Sequence, residues 1–138
     1  MEALAITPSK ITVLIADDHR LFADALEAIL ATDGRFEVVG KAHDGESAVR
    51  MAGTAKPDVV LMDIAMPEMD GIEATVRLRA ELPDVQIFGL SMQPRGAVSR
   101  AIEQAGAAGF FVKGIETPRL IEHLLAVHSV RAGSSTRP

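Results

Sequence analysis

Five short apolar runs punctuate the chain, and between them apolar residues recur every three or four positions. ITVLIA (11–16), FEVVG (36–40), DVVLM (58–62), IFGL (87–90) and FFV (110–112) have the length and composition of strands. The first intervening stretch predicts a helix over Arg20 to Ala31, with Leu21, Phe22, Ala25, Leu26, Ile29 and Leu30 as one apolar stripe ended by Asp33-Gly34. A second helix is expected over Glu46 to Ala52, stopped by Gly53 and Lys56-Pro57. A third should run from near Gly71 to Leu82, because Pro83 cannot continue it. The fourth, Ala97 to Ala105 with Gly106 as a left-handed cap, has a thin apolar face of Ala97, Val98, Ala101, Ile102 and Ala105. So little to bury marks it as the mobile element. The fifth opens with Thr117 as N-cap and Pro118 at the first helical position, and turns Leu120, Ile121, Leu124, Leu125 and His128 inward. Strict alternation of five strands and five helices predicts an α/β domain with a mostly parallel sheet.

That domain is expected over residues 11–130. Residues 1–10 lack periodicity and contain Pro8, so they form a flexible tail; residues 131–138 are linker-like. A chain of 138 residues is one domain's worth, and 48% hydrophobic against 24% charged residues is globular composition. The absence of cysteine excludes disulfides and thiolate metal sites. No apolar stretch approaches membrane length and no signal pattern opens the chain, so a cytoplasmic location is expected. The net charge of −5, without any Lys/Arg block, argues against direct binding to nucleic acid or membrane.

Chemistry enters at the ends of the runs. The first run leads into Asp17 and Asp18, the third into Asp63, the fourth into Ser91 and the fifth into Lys113. Parallel strands would gather these ends in one crevice, where open α/β sheets bind their ligands. Three carboxylates that close repel one another unless a cation joins them. Mg²⁺ suits such a site: it takes hard oxygen ligands and shares its shell with phosphate. An aspartate beside it can attack phosphorus, Lys113 can add positive charge, and Ser91 can donate to a phosphoryl oxygen. Taken singly, these residues have ordinary structural roles: an N-cap pair, a turn former, a turn hydroxyl, a solvated lysine. Their joint placement at four strand ends favours chemistry.

ADDH (16–19), LMDIAMPEMDG (61–71), GLS (89–91) and FFVK (110–113) together resemble the receiver domain of two-component response regulators, at the family's spacing over residues 10–130. The resemblance implies a flavodoxin-like doubly wound sheet of order 2-1-3-4-5. It implies that Asp63 accepts a phosphoryl group from a histidine kinase or small donor. It assigns Asp18, Asp63 and the backbone carbonyl of Ala65 to Mg²⁺, with Asp17 acting through water. Phe110 matches the family's switch aromatic, which moves with Ser91. His19, Leu21 and Phe22, with EVVGKAHDGESAV (37–49) and LSM (90–92), are similar to the NarL/FixJ (LuxR-type) subfamily. Such proteins usually regulate transcription through a C-terminal helix-turn-helix. DNA would then be a partner only through that output domain, which is absent from this chain. The chain is expected to be either a receiver separated from its output domain or a natural single-domain form.

The implied function is a phosphorylation switch rather than a turnover enzyme. Its readout face is the fourth helix, last strand and fifth helix, which also offers a homodimer surface. Three departures from the family pattern stand out. Gly114 replaces the proline that often follows the lysine, Gln93-Pro94-Arg95-Gly96 replaces a more acidic loop, and Ala65 and Met92 give an attacking water little polar help. The last predicts slow dephosphorylation. A phosphate-independent adaptor is the alternative, and it predicts an eroded acidic set, which is not found. A phosphatase would need a second acid two residues after Asp63, where Ala65 stands. No catalytic part is expected of the four histidines.

Overall fold

A computed structural model describes residues 10–66 and 69–135, with side chains described as far as residue 126. The order is β1 (Ile11–Ala16), α1 (Arg20–Ala31), β2 (Phe36–Ala42), α2 (Gly45–Ala55), β3 (Val59–Asp63), α3 (Gly71–Glu81), β4 (Gln86–Ser91), α4 (Ala97–Gln104), β5 (Gly109–Val112) and α5 (Thr117–Ser135). All strand pairs are parallel and the sheet order is β2-β1-β3-β4-β5, as the resemblance implied. The order reverses at β1, and the crevice at the C-terminal ends of β1 and β3 opens at that switch point.

Side-chain alternation along the strands divides the core in two. Leu14, Ala16, Val60, Met62, Ile87 and Phe110 face α2, α3 and α4, where Ala48, Val49, Ala52, Ala74, Leu78 and Ile102 meet them. Ile11, Val13, Ile15, Val59, Leu61, Phe88, Leu90 and Phe111 face α1 and α5, against Ala23, Leu26, Leu30, Leu120 and Leu124. Burial on both faces explains why the central strands are almost uniformly apolar.

Four details differ from the sequence expectation. In α1 the buried positions are Ala23, Leu26 and Leu30, while Leu21 and Ile29 are exposed and Phe22 is half-buried. The predicted stripe was too wide: its outer edge lines an apolar groove in which Phe22, Ala25 and Ile29 face Thr117, Pro118 and Ile121 of α5. Helix α2 does not stop at Gly53; it runs to Ala55 and ends on Lys56 in the left-handed region (φ 48°). An exposed mid-helix glycine costs only about 1 kcal/mol, which the cap of Asp44 on Ser47 N–H helps to offset. Helix α5 begins at Thr117, so the cap falls on Glu116, whose carbonyl accepts from Leu120 N–H. The backbone of α5 stays helical to Ser135, inside the stretch expected to be linker, since residues 131–135 contain no proline to end it. The side chain of His128, residues 1–9 and residues 136–138 lie outside the described residues.

Gly106 has the positive φ expected of it (122°), and the side chain of Arg79 occupies the space a Cβ there would need. Arg79 itself closes the end of α3 by donating to the carbonyls of Pro83 and Val85.

Candidate functional site

The sheet delivers the predicted side chains to one place. Asp17 follows β1, and its backbone N–H donates to Ala42 O (2.9 Å), which fixes the strand end against β2. Asp63 is the last residue of β3, and Lys113 follows β5 with its N–H on Ser91 O (2.9 Å). Behind Asp63, α3 approaches so closely that a Cβ on Gly71 would run into the Asp63 carbonyl. Gly71 N–H donates to Ile64 O (2.9 Å), so the glycine permits the tight return that seats Asp63.

Lys113 organises the carboxylates. Its Nζ lies 2.7 Å from Asp17 Oδ2 and 3.3 Å from Asp63 Oδ2, with all three side chains almost wholly buried. The ring of Phe22 covers the ammonium, with its centroid 5.2 Å from Nζ, which adds a cation–π contact. Asp18 stands at the rim, its side chain 36% exposed. Burial and the neighbouring Asp17 carboxylate push the Asp63 carboxyl up to about 7, against the opposing pull of Lys113. One ammonium therefore leaves the crevice short of positive charge. Asp17 Oδ2 and Asp63 Oδ2 accept no hydrogen bond, although both are buried. Two buried carboxylates sharing one ammonium suit a divalent cation as a second source of positive charge.

Ser91 ends β4 beside Asp63, pairing with Val112 across the ladder, and its Oγ accepts from Gln93 N–H (3.0 Å). It is buried and not bonded to the acidic group. Ala65 is exposed on the loop after β3, and its N–H donates to Asp63 Oδ1 (3.2 Å). Phe110 points inward and is 3% exposed.

Sequence reasoning passed over three contributors. His19 brings Nδ1 to within 3.1 Å of Lys113 Nζ, and its ligand atom joins those of Asp17, Asp18 and Asp63 in a group spanning 4.8 Å. Its adjacency to Asp18 was the available signal. His43 Nδ1 lies 2.9 Å from Asp17 O and braces that strand end from β2's side. Arg95, flagged only as a departure in its loop, donates to Phe110 O (2.7 Å), stacks over the Phe110 ring (5.6 Å) and pairs with Glu116 (2.8 Å). No local pattern links residues so far apart in the chain.

A doubly wound parallel sheet with an acid pair after its first strand, an aspartate ending its third and a lysine after its fifth defines the receiver class of signalling domain. The chain matches the response regulator receiver domain family over residues 13–125 and belongs to it. It is 38% identical over 122 residues to the transcriptional regulatory protein DegU of Brevibacillus brevis, covering 88% of this chain and 52% of that protein. It is 37% identical to the response regulator GacA of Pseudomonas aeruginosa, covering 89% and 56% respectively. The chain thus spans about half the length of the curated relatives it matches. Among solved structures it resembles the receiver domain of the response regulator NarL from Mycobacterium tuberculosis (33% identity, TM-score 0.81, 88% of this chain and 98% of that one). These relatives are NarL/FixJ-type regulators, as the resemblance implied. Receiver domains generally bind Mg²⁺ at an aspartate cluster, and Asp17, Asp18 and Asp63 form one here. Among the described residues no helix is long and apolar enough to cross a membrane.

Proposed function

We propose that Asp63 is the phosphoacceptor of a two-state signalling switch. The observation that carries this is the pairing of Asp63 Oδ2 with Lys113 (3.3 Å) in a crevice still short of positive charge. An Asp63 carboxylate oxygen attacks the phosphorus of a phosphohistidine on a kinase partner; the P–N bond breaks and an acyl phosphate forms. Lys113 neutralises charge on the transferred group, and Ser91 leaves Gln93 N–H to donate to a phosphoryl oxygen. Asp18, Asp63 and the Ala65 carbonyl would hold Mg²⁺, with Asp17 farther back. The ion supplies charge neutralisation to carboxylate and phosphate oxygens. A CheY from Borrelia burgdorferi, 26% identical to this chain (TM-score 0.78), has been solved with BeF₃ and Mg²⁺, which supports the same arrangement here.

Movement of Ser91 would free space for Phe110 and alter the face of α4, β5 and α5, the surface for dimerisation or for release of an output domain. The name of DegU, a transcriptional regulatory protein, supports transcriptional output through segments of the whole protein that this chain does not match. The exposed Leu21 and Ile115, and Ile29 lining the apolar α1–α5 groove, support docking of the kinase on this side of the domain. A cytoplasmic location fits a kinase donor of that kind. Aspartyl chemistry here is one transfer per signal rather than turnover, and Ala65 and Met92 leave hydrolysis slow.

Intact mass measured after incubation with Mg²⁺ and acetyl phosphate tests the assignment. Asp63→Asn should take up no phosphoryl group where the parent gains one, and EDTA should abolish the gain. Phosphorylation of the Asn variant would refute it.

A further inference from the structure

His19 sits at the N-cap of α1, a position whose side chain usually turns back to bond the helix N–H groups. Here it makes no such bond. Its own backbone N–H is held by Asp17 Oδ1 (2.8 Å), and that turn carries the imidazole over the acidic crevice. Nδ1 lies 3.4 Å from Asp17 Oδ1 and 3.7 Å from Asp18 Oδ1. It also faces Lys113 Nζ at 3.1 Å. An ammonium only donates, so the nitrogen facing it presents its lone pair. The same lone pair is what a metal ion takes.

We infer that His19 enters the coordination shell of the divalent cation in this crevice, in place of a water. The inference rests on the reading above that the crevice holds such an ion. The spacing suits it: neighbouring ligands of an octahedral ion with bonds near 2.1 Å stand about 3 Å apart and opposite ones about 4.2 Å. The four ligand atoms lie within 4.8 Å of one another, so small rotations close the shell. The His19 side chain is 62% exposed and can make that rotation without disturbing packing. The buried carboxylates of Asp17 and Asp63, which share the single ammonium of Lys113, point to a further cation independently of the histidine.

The consequence is selectivity. Carboxylates alone favour hard ions, Mg²⁺ among them, whereas imidazole adds affinity along the series from Mn²⁺ to Ni²⁺ and little for Mg²⁺. The crevice is therefore tuned toward Mn²⁺ and the later ions more than an all-oxygen site would be.

Mn²⁺ titrated into the full chain, followed by pulsed electron paramagnetic resonance, tests this directly. The bound ion should show ¹⁴N modulation from imidazole, replaced by the ¹⁵N pattern in protein labelled at histidine. His19→Asn keeps a good N-cap residue and should lose the modulation. Its Mn²⁺ affinity should fall about tenfold, while Mg²⁺ affinity stays within about twofold. Bound Mn²⁺ without nitrogen modulation overturns the inference and leaves the metal site standing. Modulation that survives His19→Asn assigns the nitrogen elsewhere, His43 beside Asp17 being the other source, and also overturns it. Failure of the parent to bind Mn²⁺ or Mg²⁺ overturns both the inference and the proposed metal-assisted switch.

Discussion

Arg95 and Glu116 join the loop after β4 to the turn before α5, with guanidinium and carboxylate 2.8 Å apart above the buried Phe110. Glu116 Oε1 also accepts from Val112 N–H (2.8 Å), so the pair grips the end of β5 from both sides. The carboxylate is held below the usual range, first by Arg95 and then by the Val112 N–H. Because Arg95 is half exposed, the pair contributes only on the order of 1 kcal/mol. Arg95→Ala should therefore leave the fold intact. Its effect belongs to mobility: amide exchange over residues 93–96 and 110–116 should accelerate. Unaltered exchange there would mean the bridge restrains nothing.

Replacing Lys113 by Met should cost the metal-free protein about 3 kcal/mol, because two buried carboxylates lose their shared cation. A divalent ion should recover part of this loss. Urea unfolding of both proteins with and without Mg²⁺ checks it. An equal Mg²⁺ increment in parent and variant would show that ammonium and ion do not serve the same oxygens.

The raised Asp63 carboxyl sets a pH dependence whose sign is fixed. Its ordinary value is 3.8 and its folded value about 7, so between them the folded chain keeps a proton that the unfolded chain has released. Stability of the metal-free protein must then fall as pH rises through this window. Asp63→Asn cannot ionise and should remove most of that fall, becoming more stable than the parent at pH 8 and similar at pH 5. Denaturant midpoints at the two pH values decide it; parallel curves would contradict the assignment.

Leu21 is 86% exposed in the first turn of α1, outside the core. Leu21→Ser should change stability by less than about 0.5 kcal/mol. Phosphoryl transfer from the cognate kinase should drop, while uptake from acetyl phosphate stays at the parental rate. Equal loss with both donors would place Leu21 in the chemistry rather than in docking.

Strands and the candidate site residues at their ends were legible in the sequence because burial on both faces leaves only strand ends free to be polar. Asp17, Asp63, Ser91 and Lys113 each interrupt an apolar run at that end. Helix faces were less legible. In α1, Leu21 and Ile29 have the right spacing for a core stripe, yet Ala23 takes the buried position. A small residue in contact with the sheet and a large one bordering a groove are indistinguishable by hydropathy alone. The end of α2 was misjudged for a related reason: Gly53 is unfavourable but tolerated, and the chain reverses only at Lys56. The grip of Arg95 on Phe110 and Glu116 depends on two loops meeting, which the fold determines and no local pattern announces.

Gly89 lies on the face of β4 that α4 covers, and a Cβ there would stand 2.9 Å from both Cδ1 and Cγ2 of Ile102. Ile102 is wholly buried, one of only two buried side chains on α4. Ile102 is thus the one buried apolar peg of α4, seated in a socket with no side chain of its own, with half-buried Val98 packed beside it. Contacts of this shape do not slide; the peg is seated or it is out. The thinness of α4 consequently sets a threshold rather than a softness. In the switch proposed above, the depth of that socket would set how often α4 leaves it without a signal.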